Sequence, residues 1–398
     1  MSEWKKVKLG EICERVTSGG TPKANVSSYY NPPTIPWLKT KEVNYCRITE
    51  TENYISEEGL KNSSAKLISP NSVIIAMYGQ GDTAGRIAIN KIPLATNQAC
   101  CNLTIDKSKA DYEFIYYQLC TLYDKLVSLK AGAAQPNLNA RIIKNLEIIM
   151  PSLPIQHRIA NILSRYDSLI ENYQKQIKLL EEAAQRLYKE WFIDLHFPGH
   201  ENTNIVDGVP EGWEKKPISQ LGEYLNGFAF KPSDWQKSGK PIIKIKEMGN
   251  GVSNDTPRNN GERVPAKYLV KAGDLLFSWS ATLMVIVWSG EEGWLNQHLF
   301  KVTPSKGIER EFLLQSISNT IEEFQNLTTG STMKHIQRNK LDQVFVNVPN
   351  AEIMKRYSDI SEKTRSNILS LQSQLRLLTE ARNRLLPKLM SGEMAVIE

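Results

Sequence analysis

The stretch from Ile148 to Ile162, IIMPSLPIQHRIANI, returns near the other end of the chain as VFVNVPNAEIMKRYSDI, from Val344 to Ile360. In both, an apolar run meets a proline and then a helical pattern. The spacing is constant: Pro151 and Pro349, Gly132 and Gly330, Ile155 and Ile353, Arg158 and Arg356, and Ile162 and Ile360 all stand 198 positions apart. Upstream the echo continues with drifts the size of loops. WKKVKLGEI from Trp4 matches WEKKPISQLGEY from Trp213, and IPWLKTKEVN from Ile35 matches KPIIKIKEMGN from Lys240. SPNSVIIAMY matches KAGDLLFSWS, Asn97-Gln98 matches Asn296-Gln297, and YEFIYYQL from Tyr112 matches REFLLQSI from Arg310. The period is too long for a solenoid. The chain is one unit of about 200 residues written twice, a tandem pseudo-dimer.

Within each unit, β-like runs at Ser72 to Tyr78, Arg86 to Asn90, Leu275 to Trp279 and Leu283 to Trp288 are punctuated by glycine, proline, asparagine and aspartate. Helices are expected near Tyr112 to Leu129 and Arg310 to Thr328. The end of each unit differs in kind. Apolar and aromatic residues recur at Ile155, Ile159, Ile162, Tyr166, Leu169/Ile170, Tyr173, Ile177, Leu180, Ala184, Leu187 and Trp191, alternating four and three apart. The second copy runs Ile353, Tyr357, Ile360, Thr364, Ile368, Leu371, Leu375, Leu378, Arg382 and Leu385. No proline interrupts either run before Pro198 or Pro387. Two helices of ~37 residues, each ~55 Å long, are predicted. A narrow seam needs a partner, and the local two-fold symmetry of a duplicated chain sets equivalent helices head to tail.

The predicted fold class is therefore α+β: two similar α/β domains separated by two long helices that form an antiparallel coiled coil with pseudo-two-fold symmetry. The expected boundaries are 1–152 for the first domain, 153–195 for its helix, 196–212 for a linker, 213–350 for the second domain, 351–390 for its helix and 391–398 for a tail.

Composition narrows the class. The chain has 398 residues, too many for one core, and its 41% hydrophobic and 23% charged content is that of a soluble globular protein. It lacks a run of 18 apolar residues, and MSEWKKVKLG has no apolar signal core, so a cytoplasmic protein is expected. Five cysteines, odd in number and without a CxxC, suggest buried free thiols. The net charge of +6 is modest, but two windows hold no acid. Asp124 to Glu147 contains Lys125, Lys130, Arg141 and Lys144, and Glu323 to Asp342 contains Lys334, His335, Arg338 and Lys340. Both lie just upstream of the repeated proline stretch.

Several motifs invite catalytic readings that their context refuses. Gly79, Gly81 and Gly85 follow a strand but precede RIAINKIPL, not a helix, so a hairpin turn is favoured over a nucleotide loop. YNPPT, Tyr30 to Thr34, lacks the aromatic that would stack on a flipped base. Asp207, Glu214 and Lys216 form a loose nuclease pattern in the interdomain link with no strand expected to carry it. His196 and His200 flank Pro198 and Gly199 and cannot share a helix face, so no metal site is expected. What remains is recognition chemistry, doubled: paired Asn-Gln dipeptides, glycine-to-basic segments GAAQPNLNARIIK and GSTMKHIQRNK, and aromatic turns at Tyr78 and Trp279. Amides, arginine and planar rings read base edges or hold phosphates.

The phrases IPWLKTKEV, ATNQA, GAAQPNLNARIIKNLEIIMPSLPIQHRIANIL, AAQRLYKEWFIDLHFPGHE, VPEGWEKKPISQLGE and TEARNRLLPKLMSGEM resemble, in order and over the full chain, the DNA specificity subunit of Type I restriction-modification systems. The resemblance implies two target recognition domains, each reading one half of a split double-stranded DNA target, with the helices setting the gap. It implies two modification (methyltransferase) subunits and restriction subunits as partners, no membrane, and no catalytic residue or cofactor here. S-adenosylmethionine, ATP and Mg²⁺ would belong to the partners. On this reading the DNA-binding candidates are Lys39, Lys41, Tyr78, Arg86, Asn97, Gln98, Gln135, Asn137 and Arg141 in the first domain. In the second they are Lys244, Lys246, Trp279, Asn296, Gln297, His298, Lys334, His335 and Arg338. Leu187, Trp191, Leu385 and Leu389, taken as exposed seam residues, would touch modification subunits or serve structure. Two other classes stay open: a self-contained methyltransferase or nuclease, and a coiled-coil scaffold without DNA.

Overall fold

The structure, a computed structural model, describes residues 4–130, 137–326 and 338–396. The chain forms two compact units, residues 1–170 with 378–398 and residues 171–377.

In the first unit the strands are β1 (Lys5–Lys8), β2 (Cys13–Ser18), β3 (Ile35–Leu38), β4 (Cys46–Ile48), β5 (Tyr54–Ile55), β6 (Leu67–Ile68), β7 (Val73–Ala76), β8 (Ile87–Asn90), β9 (Leu94–Thr96), β10 (Cys100–Ile105) and β11 (Glu147–Met150). They build a five-stranded sheet in the order β2-β10-β7-β8-β4, a four-stranded sheet β5-β3-β9-β6, and the pair β1-β11. The apolar VIIA run of β7 is buried on both faces because alternate side chains of a strand point to opposite sides. Val73 and Ile75 enter the core against the helices, whereas Ile74 and Ala76 enter a second core with Leu38, Val43 and Leu94. The short helices are α1 (Glu57–Lys61), α2 (Tyr112–Cys120), α3 (Tyr123–Ser128) and α4 (Ala140–Lys144). The single helix expected over Tyr112 to Leu129 is broken where the Thr121 hydroxyl bonds back to the Gln118 carbonyl at 2.8 Å. The glycines of the nucleotide-like motif turn the chain between β7 and β8, which pair antiparallel.

The first long helix, α5 (Leu153–Tyr188), runs on as one π-helical turn, Lys189–Ile193. The link that follows is a small hairpin, β12 (Ile205–Val206) with β13 (Val209–Pro210). In the second unit come β14 (Glu214–Pro217), β15 (Gly222–Asn226), β16 (Lys240–Ile243), β17 (Arg258–Asn259), β18 (Leu269–Val270), β19 (Leu275–Ser278), β20 (Met284–Val287), β21 (Gly293–Leu295), β22 (Leu299–Pro304) and β23 (Phe345–Val348). Their sheets, β15-β22-β19-β20, β17-β16-β21-β18 and β14-β23, correspond to those of the first unit. Helices α6 (Ile245–Asn250), α7 (Arg310–Asn319) and α8 (Ile321–Asn326) precede the second long helix, α9 (Ala351–Ser391). Asn350 caps α9, its side chain accepting the Ile353 N–H at 3.0 Å. Pro387 sits within the helix, which ends at Ser391, before Gly392 in the left-handed region (φ 76°).

The long helices run antiparallel. In the first unit the start of α5 lies with the end of α9: Ile159 and Leu163 share a core with Leu389 and Met390, and Arg382 Nε is 3.3 Å from Asp167 Oδ1. In the second, the end of α5 lies with the start of α9, Tyr188 standing 6.5 Å from Tyr357 between ring centroids.

The expected seam needs correction at the start of each helix. Ile360 is 46% exposed and Thr364 half-buried, while Ser361 and Arg365 are buried beside them. In α5, Leu163 and Asp167 are likewise buried where Ile162 and Tyr166 are half-buried. Here each helix packs on its globular part as well as on its partner, so the covered stripe is wider than a coiled-coil seam. Trp191 and Leu389 are also buried, not exposed, at 8% and 2%. Trp191 lies against Tyr357 at 5.9 Å, and Leu389 belongs to the first unit's core. Leu187 and Leu385 are half-buried against their cores. A strand does carry part of the nuclease-like pattern: Glu214 and Lys216 lie on β14. They pair with each other at 2.7 Å, and Asp207 occupies the separate hairpin turn. No described helix is long and apolar enough to cross a membrane, and no group of three metal-ligating side chains occurs among the described residues.

Candidate nucleic-acid interface

The Asn-Gln dipeptides sit at equivalent turns. In the first unit the chain leaves β9 through Asn97 and Gln98 and enters β10, and in the second it leaves β21 through Asn296 and Gln297 and enters β22. A glycine backs each turn at contact distance. A Cβ built on Gly19 would lie 2.2 Å from the Asn97 carbonyl oxygen, and one on Gly227 would lie 2.1 Å from that of Asn296. Only glycine allows such an approach. The adjoining backbone closes it: Gly20 N–H donates to Thr96 O at 2.9 Å, and Phe228 N–H to Leu295 O at 2.8 Å.

Around the first turn lies an open recess of about 570 Å³ lined by Thr21, Ala24, Tyr30, Trp37, Lys39, Asn53, Tyr54, Asn97 and Gln98. Three predicted residues, Lys39, Asn97 and Gln98, thus meet there. Lys39 lies 5.2 Å from the Trp37 ring centroid and donates to Asn53 Oδ1 at 2.9 Å. Trp37 is fixed in turn by its Nε1–H bond to Gly20 O at 3.1 Å. Tyr30 donates to Pro22 O at 2.8 Å, and burial pushes its hydroxyl above its ordinary pKa. The wall therefore carries an ammonium, three amide side chains and an exposed phenol ring at Tyr54, with no carboxylate. Such a surface suits base edges and phosphate oxygens.

The second turn has a more aromatic setting. Trp279 and His298 rings stand 5.8 Å apart, Trp279 Nε1–H donates to Asn226 Oδ1 at 3.2 Å, and Gln297 Nε2 is 3.4 Å from His298 Nε2. Asn296 is buried, its Oδ1 accepting the His298 N–H at 3.4 Å, so it shapes the turn. Lys244 lies 5.1 Å from the half-exposed Trp235 ring, and Lys246 is exposed on α6. Phe228 packs on Phe230 and Tyr268 at 4.9 and 5.6 Å.

The remaining predicted residues stand apart from these turns. Lys41 pairs with Glu52, and Arg86 with Asp82 at 2.5 Å, the Arg86 guanidinium holding the Asp82 carboxyl below its usual range. Tyr78 is half-buried at the mouth of the β7–β8 turn, Asn137 half-buried, and Arg141 exposed on α4. Gln135, Lys334 and His335 lie outside the described residues, as does the side chain of Arg338. Reading the sequence missed Thr21, Tyr30, Trp37, Asn53 and Tyr54, and in the second unit Asn226, Phe228, Trp235 and Tyr268. A signal existed: Gly19 and Gly227 recur at corresponding places before the aligned IPWLKTKEVN and KPIIKIKEMGN segments. Of the five free thiols expected to be buried, Cys100 and Cys101 are, with burial pushing Cys101 up to about 12, whereas Cys13, Cys46 and Cys120 are half-buried.

Known proteins agree with this duplicated arrangement. The MjaIX Type I restriction enzyme specificity subunit of Methanocaldococcus jannaschii is 26% identical over 420 residues, covering 100% of this chain and 94% of its own. The HindI specificity subunit of Haemophilus influenzae is 22% identical, covering 99% of this chain and 100% of its own. In fold, the crystal structure of a Type I restriction-modification S subunit from M. genitalium matches with a TM-score of 0.62 at 15% identity, over 100% of this chain and 97% of that one. The profile of the Type I restriction modification DNA specificity domain matches twice, at residues 1–182 and 210–376, once on each copy of the repeat. The chain accordingly belongs to the Type I restriction modification DNA specificity family, whose members are specificity subunits and leave catalysis to other subunits.

Proposed function

We propose that this chain is the sequence reader of a Type I restriction-modification complex, and that each globular part reads one half of a bipartite double-stranded DNA target. The observation that carries the reading is the glycine-backed Asn-Gln turn, present once in each unit with aromatic rings and a lysine beside it. Amides at the turn meet base edges in the major groove, and Lys39 and Lys244 neutralise phosphates. The antiparallel helices set the length of the unread spacer between half-sites. The chain docks two modification subunits and the restriction subunits. S-adenosylmethionine, ATP and Mg²⁺ are bound by those partners, and the complex works in the cytoplasm.

Mapping methylated adenines across a genome with and without the gene tests this. A motif of two short half-sites at a fixed gap should vanish on deletion and return on complementation. Asn97→Ala with Gln98→Ala should relax one half-site only. Methylation that persists without the gene would overturn the proposal.

A further inference from the structure

The long helices meet the globular parts through buried charge in both units, with the polarity inverted. Positions 167 and 365 stand 198 apart, the offset of the repeat, and so do Glu113 and Glu311. In the first unit the helix supplies the acid. Asp167 Oδ2 accepts from Arg47 Nη1 at 3.0 Å and from the Tyr117 hydroxyl at 2.6 Å, and Arg47 Nη2 donates to that hydroxyl at 2.8 Å. Arg47 Nε is also 3.7 Å from Glu113. In the second unit the helix supplies the base: Arg365 Nε–H is shared between both Glu311 oxygens at 3.0 Å. The side chains of Arg47, Asp167, Arg365 and Glu311 are only 8%, 10%, 6% and 3% exposed.

Ionic groups this dry recover their desolvation poorly, and a packed apolar pair would hold each helix to its globular part as well. What charge adds is direction. A guanidinium meets a carboxylate in few orientations, whereas apolar faces slide. We propose that Asp167 and Arg365 are positioning residues, each fixing the angle at which its recognition domain stands on the helices, so that the complex discriminates targets by spacer length. The inference rests on the two-half-site reading above.

The test uses the full chain assembled with its modification subunits, and DNA duplexes carrying both half-sites at the native gap or one base pair longer or shorter. Wild type is expected to methylate the native gap preferentially. In Asp167→Asn and Glu311→Gln that preference falls about tenfold, the size of one lost charge-assisted contact, while half-site preference holds. Ile115→Val, a core change with a similar loss in Tm, keeps the wild-type preference. An unchanged preference in Asp167→Asn and Glu311→Gln, or an equal loss in Ile115→Val, would overturn the inference. If Asp167→Asn fails to fold, Arg47→Lys, which keeps the charge but not the fork, decides between the same two outcomes. A wild type with no gap preference would instead overturn the two-half-site reading itself.

Discussion

Trp4 and Trp213 open the two copies of the repeat, yet each rests on the end of the other copy's helix. Trp4 packs beside Gly392, just past α9, which ends the second copy. Trp213 stacks on Phe197 and Phe192, at 4.7 and 5.7 Å, just past α5, which ends the first. Each compact unit is thus assembled from one globular part and pieces of both helices. The two units share this plan and differ in the chemistry that fastens it. The first uses the branched network of Arg47, Tyr117, Asp167, Glu113 and Arg382, and the second uses the Glu311–Arg365 pair beside an aromatic cluster of Tyr188, Phe192, Phe312 and Tyr357. Duplication preserved the architecture and left the contacts free to diverge, provided that each buried charge kept a partner.

That difference predicts unequal sensitivity. Glu311→Ala leaves the Arg365 guanidinium buried without its carboxylate and should cost about 3–5 kcal/mol. Asp167→Ala should cost less, because Glu113 remains within 3.7 Å of Arg47, and Arg382, which also loses its carboxylate, is a quarter exposed to solvent. Denaturant unfolding of both variants checks the order, and equal losses would erase the distinction. Removing the exposed Lys41–Glu52 pair should leave stability nearly unchanged, because solvent screens both charges.

The glycine-backed turns are where the units agree, so matched substitutions should give matched effects. Gly19→Ala and Gly227→Ala each force a methyl group onto a backbone carbonyl, a strain of about 1–3 kcal/mol. Each should weaken DNA binding by roughly tenfold through its own half-site only, as read by binding selection from randomised duplexes. Smaller still, Lys39→Ala and Lys244→Ala should each lower affinity for all sequences alike and flatten the salt dependence by about one unit of log–log slope. A sequence-dependent loss would move these lysines from phosphates to bases.

The smallest effect sharpens the contrast in charge. Burial raises the Glu181 carboxyl pKa in the second unit, with Arg365 pulling partly the other way. A raised folded-state value means that this carboxyl favours folding when protonated and opposes it once pH climbs through that value. Glu181→Gln should therefore raise Tm slightly near pH 7, with the gain fading as pH falls through the raised value and gone below the ordinary carboxyl value of 4.5. A drop in Tm at neutral pH would show that the attraction to Arg365 prevails.

The repeat was legible because proline, glycine and isoleucine keep one offset through both copies, and uninterrupted periodicity made both helices readable. Less legible was the buried face at each helix start, where Ser361, Arg365 and Asp167 look solvated until their partners on distant strands and helices are known. The recess was hidden for a related reason. Trp37, Tyr54 and Asn97 come from β3, β5 and the turn after β9, which only sheet pairing brings together. Lys39 and the Asn-Gln turns were accessible in advance because they recur in both copies, whereas Tyr54 is matched across the sheet by Arg258, and Tyr30 and Trp235 match only in carrying a ring.

The central claim, a duplicated reader whose helices set the spacer, is tested most directly by shortening both helices together. Removing residues 171–177 and 369–375 takes one heptad from each, ~10 Å of helix, or about three base pairs at 3.4 Å each. The methylation motif of the shortened chain should keep both half-sites and lose about three base pairs of spacer. Altered half-sites, or an unaltered spacer in an active complex, would contradict it.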